Sequence, residues 1–161
     1  MKVYHGSVDI VTTPEIRTPN RSLDYGAGFY ATTSYKQAED WVRRRMKENK
    51  AAKGYVNIYE LDETAMETYN TIAFTQADEK WVDFVMSNRM NRGFTHDYDI
   101  VYGPVANDNI YASFALYEQN IISKRMLIEE LRTYRLVDQY LFHTQKALSA
   151  IRFIEAKEVN A

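Results

Sequence analysis

Short strand-like runs and amphipathic helical runs alternate along this chain in an irregular order, and this pattern narrows the fold more than any other feature. Strands are predicted at Lys2–His5, with Val8, Ile10 and Val11 as a short continuation, and at Tyr55–Leu61, Thr71–Phe74, Tyr98–Pro104, Gln139–His143 and Ile151–Val159. Another follows the tight approach Gly26-Ala27-Gly28-Phe29-Tyr30-Ala31-Thr32. Helices are predicted where a cap precedes helical spacing. Ser34 lies three residues before Gln37 and opens a helix to about Asn49, with Ala38, Trp41, Val42 and Met46 at helical spacing and Gly54 marking the return. Asp78 caps a helix holding Trp81, Val82, Phe84 and Val85. Asn109–Asn120 reads as helical, Ser123 caps a helix through Leu131, and Thr144–Leu148 makes a helical turn. The lack of a regular βαβ repeat points to an α+β domain with mostly antiparallel sheets rather than a doubly wound one.

Composition bounds the chemistry. With 161 residues, 45% of them hydrophobic and 26% charged, the chain fits a single globular domain over 1–161. There is no cysteine, which excludes disulfides, thiolate metal sites and cysteine nucleophiles. The three histidines, His5, His96 and His143, lack ligand spacing, so no metal is expected. A net charge of −2 provides no global pull toward nucleic acid or an anionic membrane. No apolar run approaches the length of a membrane span and the first residues carry no signal-peptide core, so a cytoplasmic address is expected. Gly26-x-Gly28 lacks the third glycine of a dinucleotide fingerprint, and Walker, Gly-x-Ser-x-Gly and His-Glu-x-x-His motifs are absent. Tyrosine is abundant, at 13 residues, and most are expected in the core and its rim.

Three patterns carry chemistry: Tyr4-His5-Gly6-Ser7, Gly26-Ala27-Gly28-Phe29-Tyr30-Ala31-Thr32, and Asp138-Gln139-Tyr140-Leu141-Phe142-His143. In this order they resemble the ADP-ribosyltransferase superfamily of the diphtheria-toxin and poly(ADP-ribose) polymerase type. That family has a His-Gly pair on its first core strand, a Tyr after Gly-x-Gly-apolar, and a late-strand Glu often followed by Tyr. The whole chain is similar to an uncharacterised bacterial family of unknown function grouped with these transferases. Leu23-Asp24-Tyr25-Gly26 and Tyr98-Asp99-Ile100-Val101-x-Gly103-Pro104-Val105-Ala106 add to that likeness.

The resemblance implies split antiparallel sheets with surrounding helices around an NAD cleft. It implies mono-ADP-ribosyl transfer from NAD, as co-substrate, to a macromolecular acceptor, protein or nucleic acid. By analogy the chain is a bacterial or phage-linked toxin or effector with an antitoxin partner. His5 would meet a ribose hydroxyl of the adenosine half. The Gly6 backbone would bond the carboxamide, with Ser7 beside it. Tyr30 would face the nicotinamide, and Trp41, eleven residues on, would close its other side. The loop from Thr12 to Asp24 would lie over the donor, and Arg17 or Arg21 would meet the pyrophosphate. Each has a plain structural alternative: a strand-end histidine, a bulged core strand, a tryptophan on an apolar stripe, solvated arginines. For His143 a structural hydrogen bond is expected.

Gln139 departs from the family, since it keeps a hydrogen bond but loses the charge and cannot act as a base. Three outcomes stay open: a transferase whose acceptor is already nucleophilic, another carboxylate such as Asp138 or Glu118 supplying the charge, or a catalytically silent NAD-binding or interaction module. Poly-chain extension is not expected. An RNA 2′-phosphotransferase is disfavoured because the arginines gather at Arg43-Arg44-Arg45 on the Trp41 helix. That run reads as a solvated face or a phosphate contact.

Overall fold

The computed structural model describes residues 1–17, 23–91, 93–105, 108–134 and 136–161. In chain order they form β1 (Lys2–Ser7), β2 (Phe29–Ala31), α1 (Tyr35–Asn49), β3 (Lys53–Leu61), α2 (Ala65–Thr68), β4 (Thr71–Ala73), α3 (Glu79–Met90), β5 (Ile100–Pro104), α4 (Asp108–Glu118), α5 (Lys124–Leu131), β6 (Asp138–Phe142), a 3₁₀ helix (Lys146–Ala150) and β7 (Ile151–Asn160). Sheet A has the order β1-β3-β7 and is antiparallel. Sheet B has the order β2-β6-β5-β4, with only the β4–β5 pair parallel. The protein is α+β, with two sheets and five α-helices among the described residues. No helix of the described residues is long and apolar enough to cross a membrane.

The predicted caps start their helices. Ser34 Oγ accepts the Gln37 N–H at 3.1 Å, Asp78 Oδ1 that of Trp81 at 3.0 Å, and Ser123 Oγ that of Met126 at 3.2 Å. Three local expectations change. β1 runs on through Gly6 and Ser7 instead of turning there. Val8–Val11 forms no strand, because side chains of β3 take its backbone groups. Asn57 accepts the Val11 N–H at 2.8 Å and donates to the Asp9 carbonyl at 3.1 Å, and the Tyr59 hydroxyl donates to the Val11 carbonyl at 2.5 Å. Finally, α1 ends at Lys50, which takes the left-handed conformation (φ 51°), while Gly54 lies within β3.

Alternation along the strands sorts the apolar residues into three cores. Val3, Tyr59, Leu61 and Ile151 of sheet A meet Phe29, Ala31, Ile100, Tyr140 and Phe142 of sheet B in the core between the sheets. The opposite face of sheet B, with Val101 and Leu141, is covered by Trp81, Val82 and Val85 of α3, Ile110 and Phe114 of α4, and Leu127 and Leu131 of α5. The opposite face of sheet A, with Val56 and Ile58, is covered by Ala38, Val42 and Met46 of α1.

The α1 seat explains a glycine. A Cβ on Gly6 would lie 2.5 Å from the Ala38 carbonyl oxygen and 2.9 Å from Val42 Cγ2, so only a residue without a side chain lets α1 sit on β1. Gly6→Ala is expected to lower stability by about 1–3 kcal/mol through overpacking. Chemical denaturation reads this directly, and an unchanged midpoint contradicts the seat.

Candidate functional site

The two sheets touch through one isolated bridge. Tyr4 N–H donates to the Thr32 carbonyl at 2.8 Å, and Thr32 N–H returns to the Tyr4 carbonyl at 2.9 Å. Beyond it no backbone pair joins β1 to β2 among the described residues, so His5, buried Gly6 and Ser7 on one strand and Tyr30 on the other border a split in the ladder. In an antiparallel strand, alternate residues turn their N–H and C=O groups to the same edge. Tyr4 faces β2, so Gly6 directs its N–H and C=O to that edge too, past the end of the ladder. The missing side chain of Gly6 serves the α1 seat behind it, and the backbone edge is what the split receives. Ser7 closes the strand, with Oγ accepting the Asp9 N–H at 3.1 Å.

His5 fills part of the gap. Its Nδ1 lies 2.7 Å from the Tyr30 carbonyl oxygen, and its ring lies against Phe29 with centroids 4.2 Å apart. A carbonyl only accepts, so Nδ1 carries the hydrogen and Nε2 is left with a lone pair. Burial drives the ring's pKa from 6.5 to about 4 against the opposing pull of that hydrogen bond, which keeps His5 neutral at physiological pH. A neutral imidazole with a bare Nε2 accepts a hydroxyl.

Tyr30 stands on the sheet B face that packs toward α3–α5. Its hydroxyl donates to the Gly26 carbonyl at 2.6 Å and accepts the Tyr25 N–H at 3.2 Å. Burial holds that hydroxyl protonated well above its ordinary range. The phenol end is thus anchored to the turn before β2, and the ring packs, partly buried, against the core under α3–α5.

Gln139 shares that sheet face but is buried, at 8% exposed. Its amide lies close enough to the buried Tyr25 hydroxyl to oppose the effect of burial on that proton. Tyr25, with no exposed surface, donates to the Pro104 carbonyl at 2.7 Å and accepts the Trp81 Nε1–H at 2.8 Å. Burial is the main reason the Tyr25 proton is held far above the usual tyrosine range. Gly103 leaves room for this junction, since a Cβ there would lie 2.5 Å from the Tyr25 hydroxyl oxygen.

Of the two carboxylates considered as replacements for the missing charge, Asp138 is spent on the fold. It accepts the Thr33 N–H at 3.0 Å, the Thr33 hydroxyl at 2.7 Å and the Tyr102 hydroxyl at 3.0 Å. Glu118 pairs with Arg89 Nε at 3.2 Å, and Arg89 also reaches buried Asp24 at 3.4 Å. The Arg89 guanidinium lies 5.2 Å from the Tyr111 ring centroid and 5.3 Å from that of Phe114. Sequence spacing could not assemble this group, because its members come from a loop and two helices far apart in the chain.

The outlying candidates are less closely gathered. Trp41 lies half-buried on the flank of α1, with Arg44 5.4 Å from its ring centroid. Arg17 is 85% exposed beside Glu15, and Arg21 lies outside the described residues. Arg43 and Arg45 pair with Glu39 and Glu48, as a solvated helix face does. The open pocket beside α5, lined by Glu79, Lys124, Arg125, Ile128, Glu129 and Arg132, contains none of the predicted site residues.

A family model described as "Protein of unknown function (DUF3990)" matches residues 1–153. No curated protein and no solved structure matches the chain.

His5 links the site to acid stability. Its folded pKa of about 4 lies below the ordinary 6.5, so the unfolded chain binds the proton more tightly. Stability is therefore full above about pH 6.5 and falls as the pH drops toward 4, by at most about 2 kcal/mol between pH 7 and 5 given the ring's partial exposure. Denaturant midpoints at the two pH values should separate more for the wild type than for His5→Asn, which retains a donor without a proton to gain. Equal separations would contradict a neutral His5.

Proposed function

The chain belongs to the DUF3990 family, and we propose that it is an NAD-dependent mono-ADP-ribosyltransferase with split sheets of the ADP-ribosyltransferase kind. The observation that carries this is the split. The Gly6 backbone edge, neutral His5 and the partly buried Tyr30 stand on adjacent strands where a short bridge ends. The edge offers the donor–acceptor pair a carboxamide needs. His5 Nε2 accepts a ribose hydroxyl, and Tyr30 gives a flat apolar face. NAD supplies the activated glycosidic bond, and the protein's contribution is to hold and orient it.

The charge normally given by glutamate is absent at Gln139, so the acceptor must bring its own nucleophile, or Glu118 must supply the charge. A macromolecular acceptor in the cytoplasm and an antitoxin that blocks the split complete the toxin-module reading, which rests on family analogy. One observation favours a second reading, a silent NAD-binding module: position 139 carries a buried amide with no charge to offer.

Labelled NAD mixed with the purified protein and a lysate separates the two. The transferase reading predicts a labelled macromolecule and released nicotinamide, both lost in a His5→Ala, Tyr30→Ala double variant. NAD binding without either product leaves only the silent module. His5→Ala alone should weaken NAD binding about tenfold, the value of one hydrogen bond. If charge is limiting, Gln139→Glu raises nicotinamide release by about tenfold or more.

A further inference from the structure

The turn that carries Tyr30 into sheet B has little of its own to hold it. Gly26 and Gly28 take φ values of 89° and 150°, and β2 is three residues long. Glycines at such angles confer freedom that something else must remove. Side chains remove it here, through the carbonyl oxygens of the segment. His96 Nε2 lies 2.8 Å from the Tyr25 carbonyl, His143 Nδ1 2.6 Å from that of Ala27, and His5 Nδ1 2.7 Å from that of Tyr30. The Tyr30 hydroxyl itself takes the Gly26 carbonyl. All three histidines of the chain are thus spent on six consecutive residues, from three different places in the fold.

We propose that His96 and His143 are positioning residues for Tyr30. Their N–H groups fix the Tyr25 and Ala27 carbonyls, set the path of the Gly26–Gly28 turn and so place the Tyr30 ring at the split. This rests on the reading of Tyr30 as the ring that faces NAD.

The geometry sets both tautomers. His96 donates from Nε2 and accepts the Tyr98 N–H on Nδ1 at 3.2 Å, so a proton added to Nδ1 would face another N–H. His143 donates from Nδ1, and its ring centroid is 4.1 Å from that of His96. A charge on either ring repels a charge on the other. Burial and His143 hold the His96 pKa below its ordinary value, with Asp97 and the bond to Tyr25 opposing. Around the pair stand the Phe84 and Tyr98 rings, the Asn88 side chain beside Gly26, and Asp99, whose carbonyl accepts the His143 N–H and whose carboxylate is taken up by Thr144 and Lys146. A proton on His96 Nδ1 therefore loosens the clamp there, through the Tyr98 N–H it would meet.

Amide hydrogen exchange and NAD titration calorimetry, run on the full chain, test this separately. His143→Ala should speed exchange at Gly28, Phe29 and Tyr30 about tenfold while β3 amides keep their rates, and weaken NAD binding by a similar factor. His143→Asn, whose Nδ2 stands where Nδ1 stood, should restore both to within about threefold. His96→Gln keeps a donor at Nε2 and should flatten the acid-side loss of protection, taken relative to intrinsic exchange rates, that is expected of the wild type. If His143→Ala fails to fold, His143→Gln, which shifts the donor outward, should give the same confined loss. Wild-type exchange at residues 28–30 in His143→Ala, or in His143→Gln where the alanine variant does not fold, overturns the clamp. Faster exchange with unchanged NAD affinity overturns its positioning role. If the wild type binds no NAD, the functional reading falls, and exchange alone decides whether the clamp exists.

Discussion

Two hydrogen bonds between Tyr4 and Thr32 determine what this fold presents to the outside. They form the one backbone bridge between sheet A and sheet B among the described residues, and His5 Nδ1 takes the Tyr30 carbonyl just beyond it. A longer ladder would have used the Gly6 edge internally. No bridge at all would leave the sheets to pack only through the apolar core between them. One bridge yields a fixed hinge line with the buried backbone edge of Gly6 next to it, outside the ladder. The three cores then hold each lip rigid: α1 clamps β1 from behind through Gly6, and α3–α5 back the sheet that carries Tyr30.

The second constraint is the Tyr25 hydroxyl, which joins β5 and α3 through Pro104 and Trp81. Such a buried junction adds little net stability per bond, about 1 kcal/mol, but removing it orphans two groups at about 1–3 kcal/mol each.

Much of the fold could be read from local sequence. The caps at Ser34, Asp78 and Ser123 act within one turn, and alternation marks strands one residue at a time, so helix starts and most strands are visible without tertiary information. The misread segments are those decided by distant partners. Val8–Val11 has strand-like residues, but Asn57 and Tyr59 capture its backbone. Gly54 looks like a helix terminator, but Val42 needs it as a seat, with a Cβ there only 2.5 Å from Cγ1. The site divides the same way. His5, Gly6 and Tyr30 are found by motif and meet at the split. The Arg89–Asp24–Glu118 group and the gathering of His96 and His143 on one turn depend on residues far apart in sequence, and no spacing rule reaches them.

The central claim is that the Gly6 edge at the split receives the nicotinamide end of NAD. The most direct measurement is an NMR titration of the ¹⁵N-labelled protein with NAD. The account predicts that the Gly6 amide and the Tyr30 signals shift together and saturate along one curve, with His5 Nε2 moving in step while Nδ1 keeps its proton. Saturable NAD binding that leaves Gly6 and Tyr30 unmoved, or no binding at all, would contradict it.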